Sequence, residues 1–181
     1  YEVFNWFHYY LEVERGFASE VAGWVTASQW VAGALGAFLG GWACDRLSRR
    51  LGIRWGCRWP VVIGLLIAAV LLVVGALSPN PMVAATLLAL CFFFNQMTEA
   101  SFWVASMSIG GAMAGSAGGV MNTGANAMGI ANAMLIPLFA QALGWTFAIS
   151  SGALFAVVAV GFMLFVRADR TVDLASSPER R

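Results

Sequence analysis

Between Trp59 and Val166 the only charged side chain is Glu99. No water-facing surface can be built from such a run, so lipid is the solvent for most of this chain. Composition agrees. Of 181 residues, 60% are hydrophobic and 10% charged, and the mean hydropathy is +0.78. A soluble domain carries about 25% charged residues. An ordinary water-soluble enzyme, a nucleic-acid binder and a disordered chain are thereby excluded, and a net charge of +1 makes no case for an acidic partner.

A bilayer core of ~30 Å needs about 20 apolar residues in a helix. Five stretches meet that length: residues 21–44, 60–77, 82–108, 116–140 and 145–166. Ser78-Pro79-Asn80-Pro81 reads as a tight turn after the second, and Gln141 to Gly144 as a short link before the fifth. Residues 1–11 are apolar and aromatic but cover only about 16 Å as helix. They read as the outer part of a further helix, and the chain as a piece of a longer polypeptide. The predicted fold class is an all-α, polytopic membrane bundle.

Arginine sets the orientation. Arg46, Arg49, Arg50, Arg54 and Arg58 crowd one link, and Arg167, Arg170, Arg180 and Arg181 lie in the tail, residues 167–181. Residues 12–20 instead hold Glu12, Glu14 and Glu20 against Arg15. Alternating helices then put the Arg-rich link and the C-terminus on the cytoplasmic side, in an integral membrane protein expected in a bacterial inner membrane. Aromatic residues from Phe4 to Tyr10, with Trp55 and Trp59, are expected interface anchors.

Three groups of residues stand out chemically. Asn95, Gln96, Thr98 and Glu99 fall near the middle of the 82–108 span. A charged carboxylate at bilayer depth costs about 2.5–3.5 kcal/mol on insertion scales, so Glu99 must face a protein interior or a water-filled cavity. Asn95 and Glu99 are four residues apart and share a helix face with Phe92, Trp103 and Ser106. A carboxylate that loads and releases a proton beside amides and an aromatic wall suits a proton-coupled solute site; a structural Glu bonded to a neighbouring helix is the competing reading. Asn122, Thr123, Asn126 and Asn132 form the second group, with Asn122 and Asn126 stacked on one face. Their amides either contact a solute or clamp adjacent helices. The glycines around them, like Gly33, Gly36 and Gly40, are expected at helix contacts. In the partial helix, Asn5 and Tyr9 are four apart and positioned to line a cavity, whereas His8 reads as solvated.

Third is Gly40-Gly41-Trp42-Ala43-Cys44-Asp45-Arg46-Leu47-Ser48-Arg49-Arg50 at a helix end. Asp45 is suited to cap a neighbouring helix N-terminus, and the arginines to bridge to it or to lipid phosphate. A merely basic, topology-fixing loop is the alternative. This stretch resembles the loop signature between the eighth and ninth helices of the major facilitator superfamily. Trp6-Phe7-His8-Tyr9-Tyr10-Leu11 resembles the Trp-x-Pro-x-Tyr-Leu end of helix seven in its anion:cation symporter branch, with His8 standing where Pro is common. Gly119 to Gly129, with Pro137 beyond, resembles that branch's Gly- and Asn-rich helix eleven, and Glu99-Ala100-Ser101-Phe102-Trp103 its helix ten in some members.

The resemblance implies the C-terminal six helices of a twelve-helix transporter. It implies alternating access against a missing N-terminal six-helix half, with symport of a proton and a small organic anion such as a sugar acid. Glu99 would then couple to proton or solute, and Asn95, Gln96, Asn122, Asn126, Asn5 and Tyr9 would contact solute. Asp45, Arg46, Arg49 and Arg50 would latch the cytoplasmic gate. No Arg or Lys lies within a predicted span, so the cation that recognises an anion is expected outside this chain.

A scaffold or channel subunit is one alternative reading, and a membrane-embedded enzyme with Glu99 as base another. With one His and no HExxH, Walker or nucleophile-elbow motif, no enzyme, metal or cofactor chemistry is expected. Cys44, Cys57 and Cys91 have neither CxxC nor metal spacing and read as small apolar packers.

Overall fold

The computed structural model describes residues 7–171. Asn5 and Trp6, and the tail beyond Thr171, lie outside the described residues. Within them every regular element is helical: α1 (Phe7–Val13), α2 (Ser19–Leu51), α3 (Ile53–Leu77), α4 (Pro81–Met97), α5 (Glu99–Gly110), one 3-10 turn at Gly111–Met113, α6 (Ala114–Leu143) and α7 (Trp145–Phe165). Three stretches are long and apolar enough to cross a membrane: Ile53–Leu77, the Pro81–Leu143 run and Trp145–Phe165. The middle one folds back on itself where Gly111 takes a φ of +52°, laying α6 along α5. The molecule is an all-α membrane bundle. α2, which holds residues 21–44, is long enough but less apolar, because glycines and Gln29 interrupt its Val, Leu and Ala content.

Two boundaries differ from the sequence reading. The Arg-rich stretch after Cys44 is not a loop; α2 runs on to Leu51, and only Gly52 (φ +81°) separates it from α3. Arginine is a good helix former, so nothing before Gly52 compels a stop. The stretch 82–108 is also not one straight helix. It breaks at Thr98, where the hydroxyl donates to the Asn95 carbonyl at 2.7 Å and the backbone N–H turns to the same oxygen at 3.1 Å. The Ser78–Pro81 turn ends as expected, with the Asn80 side chain accepting from the Met82 and Val83 N–H groups and Pro81 at the first helical position.

Glycine positions α2 against α4. Ideal Cβ atoms on Gly33, Gly36 and Gly40 would run into Phe92, the Phe93 carbonyl and the Met97 carbonyl in turn. The pairs advance together, so the two helices run parallel with their backbones in contact. Two buried clusters result. One joins Phe7, Tyr10 and Leu11 to Leu72, Leu88, Phe92 and Ile149. The other joins Cys44, Cys57, Val61, Leu65, Ala105 and Met163.

Arginines close the helix ends between them. The Arg15 guanidinium donates to the Ser78 carbonyl (2.8 Å), the Ala76 carbonyl (3.2 Å) and the Tyr10 hydroxyl (2.6 Å) at the end of α3. Arg58, 5% exposed, donates to the Leu164 and Val166 carbonyls at 2.7 and 2.8 Å, at the end of α7. Each satisfies carbonyls that a helix terminus leaves without partners, and places positive charge at the negative end of the dipole.

Candidate functional site

Between the levels of the two clusters lies a cavity of about 460 Å³. Ala68, Ala69 and Leu72 of α3 and Gly152, Phe155 and Ala156 of α7 form its apolar walls. Its polar groups come from three other helices. Asn95 and Glu99 reach it across the α4–α5 break, and Asn122, Asn126 and Asn132 from α6. A mostly apolar hollow with a few convergent polar groups is the usual form of a small-molecule site. In a bundle, such sites sit between facing helices.

The polar groups are differently engaged. Glu99 opens α5, and its Oε1 accepts from the Trp103 indole Nε1–H at 3.0 Å, one turn along the same face. This bond fixes the carboxylate's orientation and leaves its second oxygen for another donor. The Asn126 amide nitrogen donates to the Asn122 carbonyl at 2.8 Å, which leaves its oxygen as the group free to turn elsewhere. Asn122 and Asn126 are both exposed on α6, a thirty-residue helix that buries only Gly118 and Ile136. A hollow built this way offers a carboxylate, amide donors and amide acceptors at one level, suited to a ligand rich in hydroxyl or carboxylate oxygens.

Not every expected residue converges there. Gln96 lies one position beyond Asn95 and so points about 100° away. Its Cγ is 3.2 Å from where a Cβ on Gly33 would stand, so it packs on α2 rather than lining the cavity. Tyr9 stacks on Trp145, ring centroids 5.8 Å apart, outside the cavity lining. Asn5 lies outside the described residues. Asp45, Arg46, Arg49 and Arg50 form an exposed cluster on the last turns of α2, where Arg46 lies over the Trp42 ring at 5.7 Å and none of the four is ion-paired with another described residue. Asn132 does line the cavity, at the lower edge of the Asn122 face. The apolar walls carry no chemical mark in the sequence, because Ala68, Ala69, Gly152 and Ala156 are residue types found all along the apolar spans.

A second hollow of about 670 Å³ opens between α5, α6 and α7 nearer their other ends. Phe102, Ile109, Met113, Val120 and Phe162 line it, and it presents almost no polar group.

No family model matches the chain. Among curated proteins, it is 33% identical to a probable sulfoacetate transporter of Cupriavidus necator, over 98% of this chain and 41% of that protein. It is 30% identical to a D-galactonate transporter of Escherichia coli, over 90% of this chain and 37% of the relative. A hexuronate transporter of Bacillus subtilis is 32% identical over 70% of this chain and 31% of its own length. The chain therefore spans about two fifths, or less, of the relatives it matches. The resemblance read from its motifs is borne out.

Proposed function

For a chain that is a relative of bacterial sugar-acid and organic-anion transporters, we propose that it supplies part of the translocation path of a secondary transporter of the major facilitator type. The solute is a small organic anion, moved by alternating access between this helical unit and a further half. The single observation that carries this reading is the mid-level cavity that Glu99, held by Trp103, lines together with Asn122, Asn126 and Asn132. A purely structural Glu would be paired with a neighbouring helix and screened from any hollow. Here the carboxylate lines one.

In this mechanism the amides of Asn95, Asn122 and Asn132 hold oxygen atoms of the solute. Glu99 exchanges a proton: protonated, it donates a hydrogen bond and carries no charge across the low-dielectric interior; ionised, it repels an anion and releases it. The cation that recognises the anion comes from outside this chain. Asp45, Arg46, Arg49 and Arg50 latch the cytoplasmic face, in a bacterial inner membrane with the C-terminus inside.

Glu99→Gln in the full-length protein tests the coupling. The expected outcome is loss of proton-driven accumulation with counterflow of unlabelled against labelled solute retained. Undiminished accumulation in that variant would sink the coupling role. Loss of both activities with normal folding would make Glu99 a solute contact instead.

A further inference from the structure

Outside the cavity, the densest unexplained chemistry is at the start of α3. Arg54 and Arg58 both rise from its first two turns, with no acidic residue beside them and with Gly52 as an N-cap that offers no side chain. The first N–H groups of α3 are therefore uncapped by any side chain. Arg167, just past the end of α7, acts on Arg58 as a further like charge, and Asp169 is the carboxylate that acts against it. Among the described residues, three guanidinium groups thus share one carboxylate.

Hydrogen bonding makes the imbalance sharper. Arg58 is 5% exposed and spends its Nη2 on the α7 carbonyls, but its Nε–H is buried without an acceptor. The Nε–H of Arg54 is likewise buried and unpartnered. Both guanidinium groups lie over the Trp55 ring, at 5.7 Å for Arg54 and 4.8 Å for Arg58, which fixes their planes. An accessible guanidinium fork of N–H groups matches phosphate oxygens.

The surroundings say where that phosphate comes from. Trp55 stacks on Trp59 with ring centroids 6.2 Å apart, and each residue is 43% exposed. Phe162 and Phe165, on the last turn of α7, are exposed as well. Apolar residues that face outward from Pro60 onward, such as Ile63 and Leu66, begin directly above. Indoles, arginines and outward apolar side chains in that order mark the headgroup level of a bilayer.

We infer that Arg54, Arg58 and Arg167 at the start of α3 bind the phosphate of an anionic phospholipid, whose chains run along the exposed apolar side of α3 and α7. The phosphate lies on the accessible guanidinium groups of Arg54 and Arg167, with Arg58 adding its charge from beneath, near the positive end of the α3 dipole. Arg58 thereby ties α3, the end of α7 and the lipid at one point.

The test is native mass spectrometry of the full-length protein, delipidated in detergent and offered equimolar phosphatidylglycerol and phosphatidylcholine. The expected result is selective retention of phosphatidylglycerol. Arg54→Gln and Arg167→Gln, which leave the Arg58 clamp in place, should each weaken that preference roughly fivefold, with melting in detergent unaltered. Arg54→Lys keeps the charge but loses the fork and should fall between. Equal retention of the two lipids in the native protein overturns the inference, as does an undiminished preference in the double variant. If inorganic phosphate adducts form on the native protein and are lost in the Arg54→Gln/Arg167→Gln double variant while phosphatidylglycerol shows no preference, the site belongs to a free anion and the lipid assignment falls.

Discussion

Gly40→Ala puts one methyl group where α2 and α4 touch. The added Cβ would stand 2.6 Å from the Met97 carbonyl carbon and closer still to its oxygen. Ordinary contact begins at 3.4 Å, so the helices must part by at least 0.8 Å, the difference between those distances. A backbone carbonyl cannot swing aside as a side chain does, and this one lies next to the Thr98 break that positions Glu99. A gap of 0.5–1 Å forfeits a quarter to a half of each contact's attraction, and overpacking of this kind costs about 1–3 kcal/mol. Against that, Ala gains about 1 kcal/mol over Gly in helix propensity. The net expectation is a loss of up to about 2 kcal/mol, or several degrees in a detergent melt of the full-length protein. Gly23→Ala, on the same helix with nothing within 4 Å of its Cβ, is the control and should be neutral or slightly stabilising. If the two variants melt together, backbone contact between α2 and α4 does not hold the bundle.

Other consequences are as direct. Arg15→Met removes the donors to the Ser78 and Ala76 carbonyls and should lower stability by about 1–2 kcal/mol in the same melt; an unchanged midpoint would show water replacing them at no cost. The Cys44 and Cys57 sulfurs are 3.8 Å apart, so a mild copper-phenanthroline oxidation should join them across α2 and α3. Intact mass would show the loss of two hydrogens, with Cys91 still open to alkylation after unfolding; a second free thiol would refute the packing at that end. Asn122→Ala should weaken solute binding about tenfold by losing one good hydrogen bond. Asn126→Ala, whose nitrogen is already spent on the helix backbone, should weaken it less, and reversal of that order in a binding titration would count against the cavity geometry.

Much of the site was legible because lipid makes polarity conspicuous. Asn95, Glu99, Asn122 and Asn126 stand out in spans that are otherwise apolar, and helical spacing puts each pair on one face; the cavity gathers all four. Gln96 shows the limit of proximity in sequence, since adjacent helical positions diverge by about 100°. The break at Thr98 was not legible, as no Pro or Gly marks it. It depends on a close approach from another helix, where a Cβ on Gly64 would stand 2.7 Å from the Thr98 methyl. Arg58 was hidden for a related reason. In the sequence it is one more arginine of a basic link, and only the end of α7, over one hundred positions later, gives it carbonyls to hold.

The light packing of α6 bears on how the chain is made. A helix with four amide side chains counting Gln141, many glycines and two buried residues gains little from lipid alone when it leaves the translocon. Its cavity-lining amides gain their surrounding walls only once α5 precedes it and α7, which carries no charge or amide, follows. The cavity wall is therefore the segment whose insertion depends most on its neighbours, and synthesis halted after Gly144 would leave the cavity-lining amides without the wall that α7 supplies.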